Sequence, residues 1–501
     1  MSLPASPSTR SPLRPLEGLA FDNSYARLPE AFYRRVMPTP LPKPHLVAFN
    51  PDAAALIDLD PAEVAREEFP ACFGGDKLLP GSDPIAMLYH GHQFGVFAGQ
   101  LGDGRAILLG EVVNHRGEAW DLHLKGAGQT PFSRDGDGRA VLRSTIREYL
   151  CGEAMHGLGI PTTRSLCIVA GEEPVVRETV ERGATLLRMA PTHVRFGTFE
   201  AFYYRRQHDH LTVLADYVIG RFFPHLHGMP DRYSRLFHEV AVKTAQLIAQ
   251  WQAVGFAHGV MNSDNMSILG LTLDYGPYGF LDAYHAGFVC NHSDAHGRYA
   301  FGNQPDIGYF NLRCLARALT PLVADRELQA GLDVYEATFA ARYRDLMRAK
   351  LGLVESRPED EALYTDLLAR MEAGRVDYTQ FFRALGRFDS RPEARNEGLR
   401  DCFVDRESFD DWAARYTQRL RAEQSRDSER KTRMDAVNPR YVLRNYLAQR
   451  AIERAQREQD YGEIERLRLL LSKPFDEQPD MDAYAASPPD WAQHIIVSCS
   501  S

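Results

Sequence analysis

The spacing of hydrophobic and polar residues predicts strands in the first part of the chain. From Phe94 onward, apolar runs alternate with short polar stretches that contain glycine, which is typical of antiparallel strands joined by turns. Leu142, Ile146 and Leu150 recur at helical spacing and predict a helix over about 139–156. The other predicted segments are the turn GQLGDGR, the strand AILLGEVV, the turn NHRGE and the strands AWDLHLK, SLCIVA and ATLLRMA.

The rest of the pattern is mostly helical. The first 80 residues or so predict short helices and turns, and helices dominate from about residue 211 onward, including everything beyond Leu315. One hairpin-like passage, NMSILGLTLDYGP, interrupts them. A β-rich lobe followed by an α-rich lobe is the order of a protein kinase, so we predict an α+β fold with a bilobal, kinase-like layout. The predicted parts are an N-terminal extension (1–80), an N-lobe (81–205), a C-lobe (206–330) and a helical C-terminal extension (331–501).

Charge and composition narrow the possible functions. The formal net charge of −9 argues against a general nucleic-acid binder, because phosphate neutralisation needs a surplus of Lys and Arg. No run approaches the roughly 20 apolar residues of a membrane span, so we expect no membrane partner. The start, MSLPASPSTRSPLRP, predicts a flexible leader rather than a secretory signal, with a transit peptide as the alternative.

The seven cysteines are scattered and include no C-x-x-C pair. This excludes a simple zinc ribbon and favours a reducing compartment. We therefore expect a cytoplasmic location in a bacterium, or a mitochondrial one in a eukaryote.

A glycine-rich turn is the first candidate site. Gly99, Gly102 and Gly104 lie between two predicted strands and are followed directly by Arg105. Glycines allow backbone N–H groups to approach phosphate oxygens that side chains would block. The alternative is a tight hairpin with no ligand.

Lys125 ends the third strand of this set, at the distance from the glycine turn that a kinase-like sheet uses for its phosphate-binding lysine. Glu148 lies within the predicted helix and could pair with it. The alternative is an exposed lysine and an exposed helical glutamate.

The stretch HGVMNSDNMSILGLTLDYGP resembles a kinase catalytic loop followed by its metal-binding D-F-G. His258 and Asn265 have the matching spacing, and Asp274 begins a D-Y-G. Asn265 and Asp274 would offer the oxygen ligands that Mg²⁺ prefers. Val260 stands where a kinase has its catalytic aspartate, but Asp264 is close by and is the candidate acid. Otherwise Asp264 only caps a turn.

Four more residues are candidate nucleotide contacts. Arg188 and Arg195 bracket a turn after an apolar strand, and guanidinium groups bind phosphates in a fork geometry. Surface arginines are the alternative. Asp137 and Gly138 suit either a nucleotide contact or a helix N-terminal turn, and the sequence alone favours the turn.

Five motifs together resemble the selenoprotein O family, from about residue 15 to the last residue. They are MLYHGHQFGVFAGQLGDGRA, LHLKGAGQTPFSRDGDGRAVLRSTIREYL, LLRMAPTHVRFGTFE, HGVMNSDNMSILGLTLDYGP and NPRYVLRNYLAQ. The resemblance implies a kinase-like fold, called a pseudokinase because the usual aspartate is missing. It also implies transfer of AMP from ATP, bound in a flipped orientation, to Ser, Thr or Tyr hydroxyls of proteins, with Mg²⁺ or Mn²⁺.

The resemblance also assigns roles to residues. Asp264 would be the base, Asn265 and Asp274 would bind the metal, and Glu148 would position Lys125. The nucleotide contacts would be Gly102, Gly104, Arg105, Lys125, Asp137, Gly138, Arg188, Arg195 and Asp274. AMP transfer suits these cations, because pyrophosphate is the leaving group and gathers charge on its phosphates.

Two cysteines suggest redox control. Some family members carry selenocysteine third from the C-terminus, where this chain has Cys499. Cys290 lies sixteen residues beyond Asp274, where a kinase-like fold has its activation segment. A disulfide between them could hold a mobile tail across the site; the alternative is two unpaired thiols.

Two other functions stay open. One is a conventional kinase that transfers the γ-phosphoryl group. The other is a non-catalytic, nucleotide-binding scaffold, which Val260 favours and which the complete set of Lys125, Asn265 and Asp274 opposes.

Overall fold

The computed structural model describes residues 13–498, so most of the predicted leader and Cys499 lie outside the described residues. The chain divides into two compact units. The described part of the first unit comprises residues 13–88, 101–145 and 163–193, and that of the second comprises 89–100, 146–162 and 194–498. The secondary structure is mixed, as the α+β prediction requires.

The strands within residues 13–498 are β1 (Tyr33–Arg35), β2 (His45–Phe49), β3 (Ile85–Met87), β4 (His90–Gln93), β5 (Val96–Gln100), β6 (Ala106–Val113), β7 (Ala119–Lys125), β8 (Ala140–Val141), β9 (Arg164–Val176), β10 (Val180–Ala190), β11 (Phe256–Ala257) and β12 (Gly279–Phe280).

The α-helices of the same residues are α1 (Pro51–Ala55), α2 (Glu68–Phe73), α3 (Leu142–Gly157), α4 (Phe196–Tyr204), α5 (His208–Phe222), α6 (Arg232–Val254), α7 (Gln304–Leu319), α8 (Asp325–Lys350), α9 (Asp360–Gly374), α10 (Tyr378–Leu385), α11 (Glu397–Arg400), α12 (Arg406–Ala422), α13 (Asp427–Asp435), α14 (Asn445–Arg457), α15 (Gly462–Leu471) and α16 (Asp482–Ala485). Short 3₁₀ helices cover Leu16–Gly18, Tyr25–Arg27, Glu30–Phe32, Pro61–Ala65, Pro224–Leu226, Ser263–Asn265, Phe301–Asn303 and Asp490–His494.

The first unit is built on one antiparallel sheet. Its strand order is β1-β3-β6-β7-β10-β9-β2, with β8 paired to β10. Successive side chains of a strand point to opposite faces of a sheet. Alternate residues of the central strands β6, β7 and β10 are apolar and share one core with residues of α1 and α2. These strand residues are Ile107, Leu109, Leu122, Leu124, Leu187 and Met189. The residues between them therefore point to the other face.

That other face carries the polar side chains of the central strands. Arg188 on β10 lies directly opposite His123 on β7, and Lys125 ends β7 opposite Ala106 of β6 and Leu186 of β10. The alternation that buries the leucines thus gathers these three cationic or titratable side chains on one surface of the sheet.

The second unit is mostly helical. The long helix α6 packs against α7 and α8, and it ends at Gly255, whose φ of +76° a glycine adopts without strain. A second hydrophobic core, which includes Trp412, Tyr416 and Met347, joins the C-terminal helices. Within residues 13–498, the strands of this unit are short and form the β4–β5 ribbon and the β11–β12 pair.

Most predicted elements are confirmed, with four corrections. The first 80 residues contain the strands β1 and β2, which are too short to show a period. The predicted helix begins at Leu142, because Ala140 and Val141 pair with β10 instead. The mostly helical part of the chain begins at Phe196 rather than at about residue 211.

The expected hairpin of NMSILGLTLDYGP is the fourth correction. Gly270 N donates to Ser267 O and closes a turn, but the two arms do not pair with each other. Ser267 pairs with Arg195, and Thr272 pairs with Thr162. The alternating apolar residues of this passage are buried in the helical unit, which explains the strand-like pattern.

No helix within residues 13–498 is both long enough and apolar enough to cross a bilayer.

Candidate active site

The glycine-rich turn of the first unit is held in place by Asp103. Its main-chain N donates to Met87 O at 2.9 Å, and its carboxylate accepts from Met87 N at 3.0 Å. Gly102 has a φ of +136°, and a Cβ there would lie 2.5 Å from the Phe132 ring. The close packing of Phe132 and this backbone conformation require a glycine at position 102.

Lys125 is buried, contrary to the alternative of an exposed lysine. Arg105, which follows the glycine turn, is half-buried, and its carbonyl accepts from Gly126 N at 2.6 Å. The end of β7 is therefore tied by a hydrogen bond to the start of β6. This fixes the positions of Lys125 and Arg105 within the sheet.

Arg188 heads a buried chain of hydrogen bonds. Its Nη2 donates to Nδ1 of His123 at 2.8 Å, and Nε2 of His123 lies 3.0 Å from Oδ2 of Asp103. Because Arg188 can only donate, His123 must accept at Nδ1 and donate at Nε2. The His123 ring also stacks on His193 at 4.3 Å. Arg188 is thus connected through His123 to the turn that Asp103 holds.

Asp137 and Gly138 lie in a separate turn of the first unit. The Arg177 guanidinium donates two hydrogen bonds to the Asp137 carboxylate, at 2.6 and 3.0 Å, and lowers the pKa of that carboxyl. Gly138 has a φ of +71°, and a Cβ there would lie 2.2 Å from the Gly128 carbonyl carbon. These contacts form a tight turn, which is the interpretation that the sequence alone favoured for these two residues.

Asp264 lies in the 3₁₀ turn Ser263–Asn265 of the second unit and is buried. Gln93 Nε2 donates to its Oδ2 at 3.2 Å, while its Oδ1 has no hydrogen-bond partner among residues 13–498. Burial raises the pKa of Asp264 to about 7, although nearby Arg195 and the Gln93 hydrogen bond act in the opposite direction. An acid with this pKa is suited to accept a proton near neutral pH.

Arg195 ties together the two ends of the candidate loop. Its Nη1 lies 2.6 Å from Oδ2 of Asp274 and donates to the Asp264 carbonyl at 2.9 Å. The guanidinium lies 4.4 Å from the centre of the Tyr89 ring, in cation–π geometry. Arg195 is buried, so the surface-arginine alternative is wrong for this residue.

Asn265 and His258 complete the loop. Asn265 Nδ2 donates to Val260 O at 3.0 Å, which leaves the amide oxygen as the possible ligand. His258 Nε2 donates to Leu273 O at 3.0 Å and so links the loop to the residue before Asp274. Burial lowers the pKa of His258.

The donor set of this loop fits a hard divalent cation. Asn265 offers an amide oxygen and Asp274 a carboxylate. Oδ1 of Asp264, which has no hydrogen-bond partner among the described residues, adds negative charge nearby. Mg²⁺ and Mn²⁺ favour such oxygen ligands.

The segment 89–93 belongs to the same loop environment, which sequence reasoning missed. His92 N donates to Ser263 Oγ at 2.7 Å, and Gly91 packs directly on Asp264. The motif YHGHQF was part of the family resemblance, but its contacts span about 170 residues, so local pattern could not reveal them.

Two further predicted residues lie in the second unit. Glu148 is buried in α3, so the exposed alternative is wrong. Cys290 is buried, and its Sγ donates to Pro277 O at 2.8 Å. No disulfide is present among residues 13–498, and the expected partner Cys499 lies outside them.

The predicted residues are therefore divided into two sets, one in each unit. The first unit holds Gly102, Gly104, Arg105, Lys125, Asp137, Gly138 and Arg188, and the second holds Glu148, Arg195, Asp264, Asn265, Asp274 and Cys290.

Comparison with known proteins identifies the family of the chain. The family model described as protein adenylyltransferase SelO matches residues 15–472. A relative named protein nucleotidyltransferase YdiU, from Myxococcus xanthus, is 60% identical over 486 residues, which cover 97% of this chain and 99% of the relative. Proteins of the same name from Thiobacillus denitrificans and Pseudomonas aeruginosa are 56% and 54% identical over 97% and 98% of this chain, and over 99% and 100% of their own lengths. The chain belongs to the protein adenylyltransferase SelO family.

Proposed function

We propose that this protein transfers AMP from ATP to Ser, Thr or Tyr hydroxyls of protein substrates and releases pyrophosphate. Membership of a family of protein adenylyltransferases supports the reaction class. The observation that carries the proposal is the buried carboxylate of Asp264, in the same loop as the oxygen ligands of Asn265 and Asp274.

Asp264 is the proposed general base. The substrate hydroxyl oxygen forms a bond to the α-phosphorus while the bond from that phosphorus to the pyrophosphate oxygen breaks. The hydroxyl proton passes to Asp264, whose Oδ1 has no hydrogen-bond partner among the described residues. Gln93 holds the other oxygen and so keeps the carboxylate oriented.

Asn265 and Asp274 are the proposed ligands of Mg²⁺ or Mn²⁺. When bound, such a cation neutralises charge on the triphosphate. Arg195 holds Asp274 in position, since its guanidinium group donates both to the Asp274 carboxylate and to the Asp264 carbonyl.

The nucleotide contacts are proposed on the residues of both sets. Lys125, Arg188 and Arg195 would stabilise negative charge that builds up on the departing pyrophosphate. Gly102, Gly104 and Arg105 would contact phosphates from the glycine-rich turn, and Glu148 would position Lys125. Asp137 and Gly138 would contact the nucleotide from their turn.

The proposal includes a protein-kinase-like, bilobal layout with the four segments 1–80, 81–205, 206–330 and 331–501. One unit carries an antiparallel sheet with the glycine-rich turn and Lys125, and the other is mostly helical and carries the catalytic loop; both features support this layout.

ATP labelled at either the α or the γ phosphate tests the function. The purified full chain is incubated with Mg²⁺ or Mn²⁺ and a mixture of proteins, and protein-bound label is measured. We expect label only from the α position. Label from the γ position would show a conventional kinase instead, and label from neither would favour the scaffold.

A further inference from the structure

Three potential metal ligands of different chemistry meet in the second unit, away from Asn265 and Asp274 in sequence. They are His92 of β4, Glu200 of α4 and Cys314 of α7, and each offers one ligand atom within 4.8 Å of the others. The three elements are far apart in the chain, so the cluster is a product of tertiary packing. None of these residues has a role in the proposed transfer of AMP.

The shortest contact in the cluster joins His92 and Glu200. Nδ1 of His92 lies 2.6 Å from Oε2 of Glu200, whose side chain is 0% exposed. A buried hydrogen-bonded pair with a thiol packed beside it would explain this contact alone.

That simpler explanation leaves the second oxygen of Glu200 unaccounted for. Oε1 of Glu200 is buried and has no hydrogen-bond partner among residues 13–498. Buried polar atoms normally have a partner, because the loss of hydration without replacement is unfavourable. A cation bound by both oxygens of this carboxylate would supply the missing interaction.

We propose that His92, Glu200 and Cys314 bind a divalent transition-metal ion of the Zn²⁺ class. Imidazole nitrogen, carboxylate oxygen and thiolate sulfur are the three ligand types that Zn²⁺ accepts in proteins. Mg²⁺ does not suit a site with sulfur and nitrogen ligands, so this site would be chemically distinct from the pair Asn265 and Asp274. A carboxylate and a thiolate also balance the charge of the ion in a buried place.

The pair of His92 and Glu200 requires only a small adjustment. Zn–N and Zn–O bonds of about 2.0–2.2 Å place two ligand atoms of a tetrahedral site about 3.3 Å apart. Nδ1 of His92 and Oε2 of Glu200, now 2.6 Å apart, would move apart by about 0.7 Å. The His92 side chain is 14% exposed, so this ligand is in contact with solvent.

The site would fix the segment that supports Asp264. His92 is bonded through its backbone to Ser263, and the neighbouring Gln93 donates to Asp264. An ion that joins β4 to α4 and α7 would therefore restrain a positioning segment of the catalytic loop.

The test is metal binding by the full-length protein, measured without regard to activity. The chain is stripped with a chelator and titrated with Zn²⁺ alone, and bound metal is counted by mass spectrometry. Titration with Co²⁺ alone reports sulfur ligation through a thiolate-to-cobalt charge-transfer band in the near ultraviolet. We expect one equivalent of Zn²⁺, the cobalt band, and a rise in Tm on adding Zn²⁺.

Matched variants decide the assignment. Cys314→Ser and His92→Gln should each lose the cobalt band and the Zn²⁺-dependent rise in Tm, whereas Cys402→Ser, at an exposed cysteine, should keep both. Asp274→Asn should also keep the band, because the oxygen ligands of the other site give none. Absence of the band from the wild-type protein would overturn the proposal, as would its persistence in Cys314→Ser. A folded state is verified for each variant by circular dichroism before titration.

Discussion

Arg195 and Asp274 form an ion pair in which Nη1 lies 2.6 Å from Oδ2, with Arg195 2% and Asp274 21% exposed. The same guanidinium donates to the main-chain carbonyl of Asp264. Asp274 has a φ of +58°, a left-handed conformation that is uncommon outside glycine but that Asp and Asn adopt more often than most residues. The contacts of Arg195 therefore hold both the acid that is proposed to bind metal and the turn of the proposed base.

The first prediction concerns Asp274. Asp274→Asn keeps an oxygen that can accept from Arg195 but removes the charge that would bind the metal. We expect AMP transfer, measured with α-labelled ATP, to fall by at least about 10²-fold while the protein stays folded. Asp274→Ala should abolish transfer.

A surface ion pair provides the control for Asp274. Asp216 pairs with Arg232 at 2.9 Å, and both side chains are more exposed. Asp216→Asn should leave transfer unchanged, because exposed pairs contribute little to stability. Undiminished transfer in Asp274→Asn and Asp274→Ala would remove the proposed metal site.

The second prediction concerns the base. Asp264→Ala should lower turnover by roughly 10²–10⁴-fold while ATP still binds, because it removes only the proton acceptor. Turnover and nucleotide affinity are measured separately, by label incorporation and by calorimetry. An equal loss of affinity would show that Asp264 is structural or a metal ligand. Val260→Asp should not rescue the variant, because in the proposed orientation ATP presents a different phosphate there.

The third prediction concerns Gly91, which packs on Asp264. A Cβ at this position would lie 2.4 Å from Oδ1 of Asp264, so Gly91→Ala must displace the carboxylate. A shift of about 1 Å in a catalytic group can cost about 10²-fold in rate. We expect kcat to fall by about that factor with little change in the affinity for ATP.

Gly220 in α5 is the matched control for Gly91, because no atom lies within 4 Å of a Cβ built there. Gly220→Ala should leave kcat unchanged and stabilise the helix by about 0.5–1 kcal/mol. A Gly91→Ala protein with the wild-type kcat would show that the packing against Asp264 does not set its position.

The sequence predicted those parts of the site that depend on local pattern. Alternation along β7 and β10 is a period-two signal, and it correctly predicted that Lys125 ends a strand. The spacing of Asn265 and Asp274 was likewise readable within one stretch of chain.

The parts that depend on pairing between distant segments could not be predicted. The sequence gives no sign that His123 and Asp103 belong to the site. Only the pairing of β7 with β10 brings Arg188 opposite His123. The contact of Gln93 with Asp264 joins residues 171 apart. A single sequence shows the period of each element but not which elements meet.

The fourth prediction concerns Lys350 at the end of α8. This lysine is buried, with its Nζ 4.2 Å from the Phe382 ring centre and 5.1 Å from that of Tyr378. Burial lowers the pKa of Lys350 from 10.5 to about 7. Between these values the unfolded chain binds the proton more strongly than the folded chain, so the free energy of unfolding rises with pH across this window.

Lys350→Met removes this titration. Relative to the wild type, we expect the variant to be most stabilised below pH 7, with an advantage that shrinks by about 1.4 kcal/mol per pH unit between about pH 7 and about pH 10.5. Urea unfolding of both proteins at four values of pH measures this difference in the free energy of unfolding. The exposed Lys473 gives the control Lys473→Met, whose difference from wild type should not vary with pH. A pH-independent difference for Lys350→Met would contradict the prediction.

The C-terminal tail approaches the proposed redox cysteine. His292 N donates to Val497 O at 2.8 Å, and Val497, which belongs to the tail that the sequence predicts to be mobile, is buried. His292 is two residues beyond Cys290, and Val497 is two residues before Cys499. The described part of the tail is therefore hydrogen-bonded to the chain two residues beyond Cys290.

The fifth prediction is a reversible Cys290–Cys499 disulfide that limits access for protein substrates. Mild oxidation should produce a cross-linked peptide with both cysteines and should lower AMP transfer to proteins while ATP binding is retained; reductant should restore transfer. Cys499→Ala should lose this redox response, whereas Cys402→Ser, which changes an exposed cysteine, should keep it. A disulfide requires the two Cα atoms to come within about 7 Å, so the cross-link itself measures whether the tail gets there. If the cross-linked peptide does not form, and Cys499→Ala responds to oxidation as the wild type does, the tail does not control the enzyme.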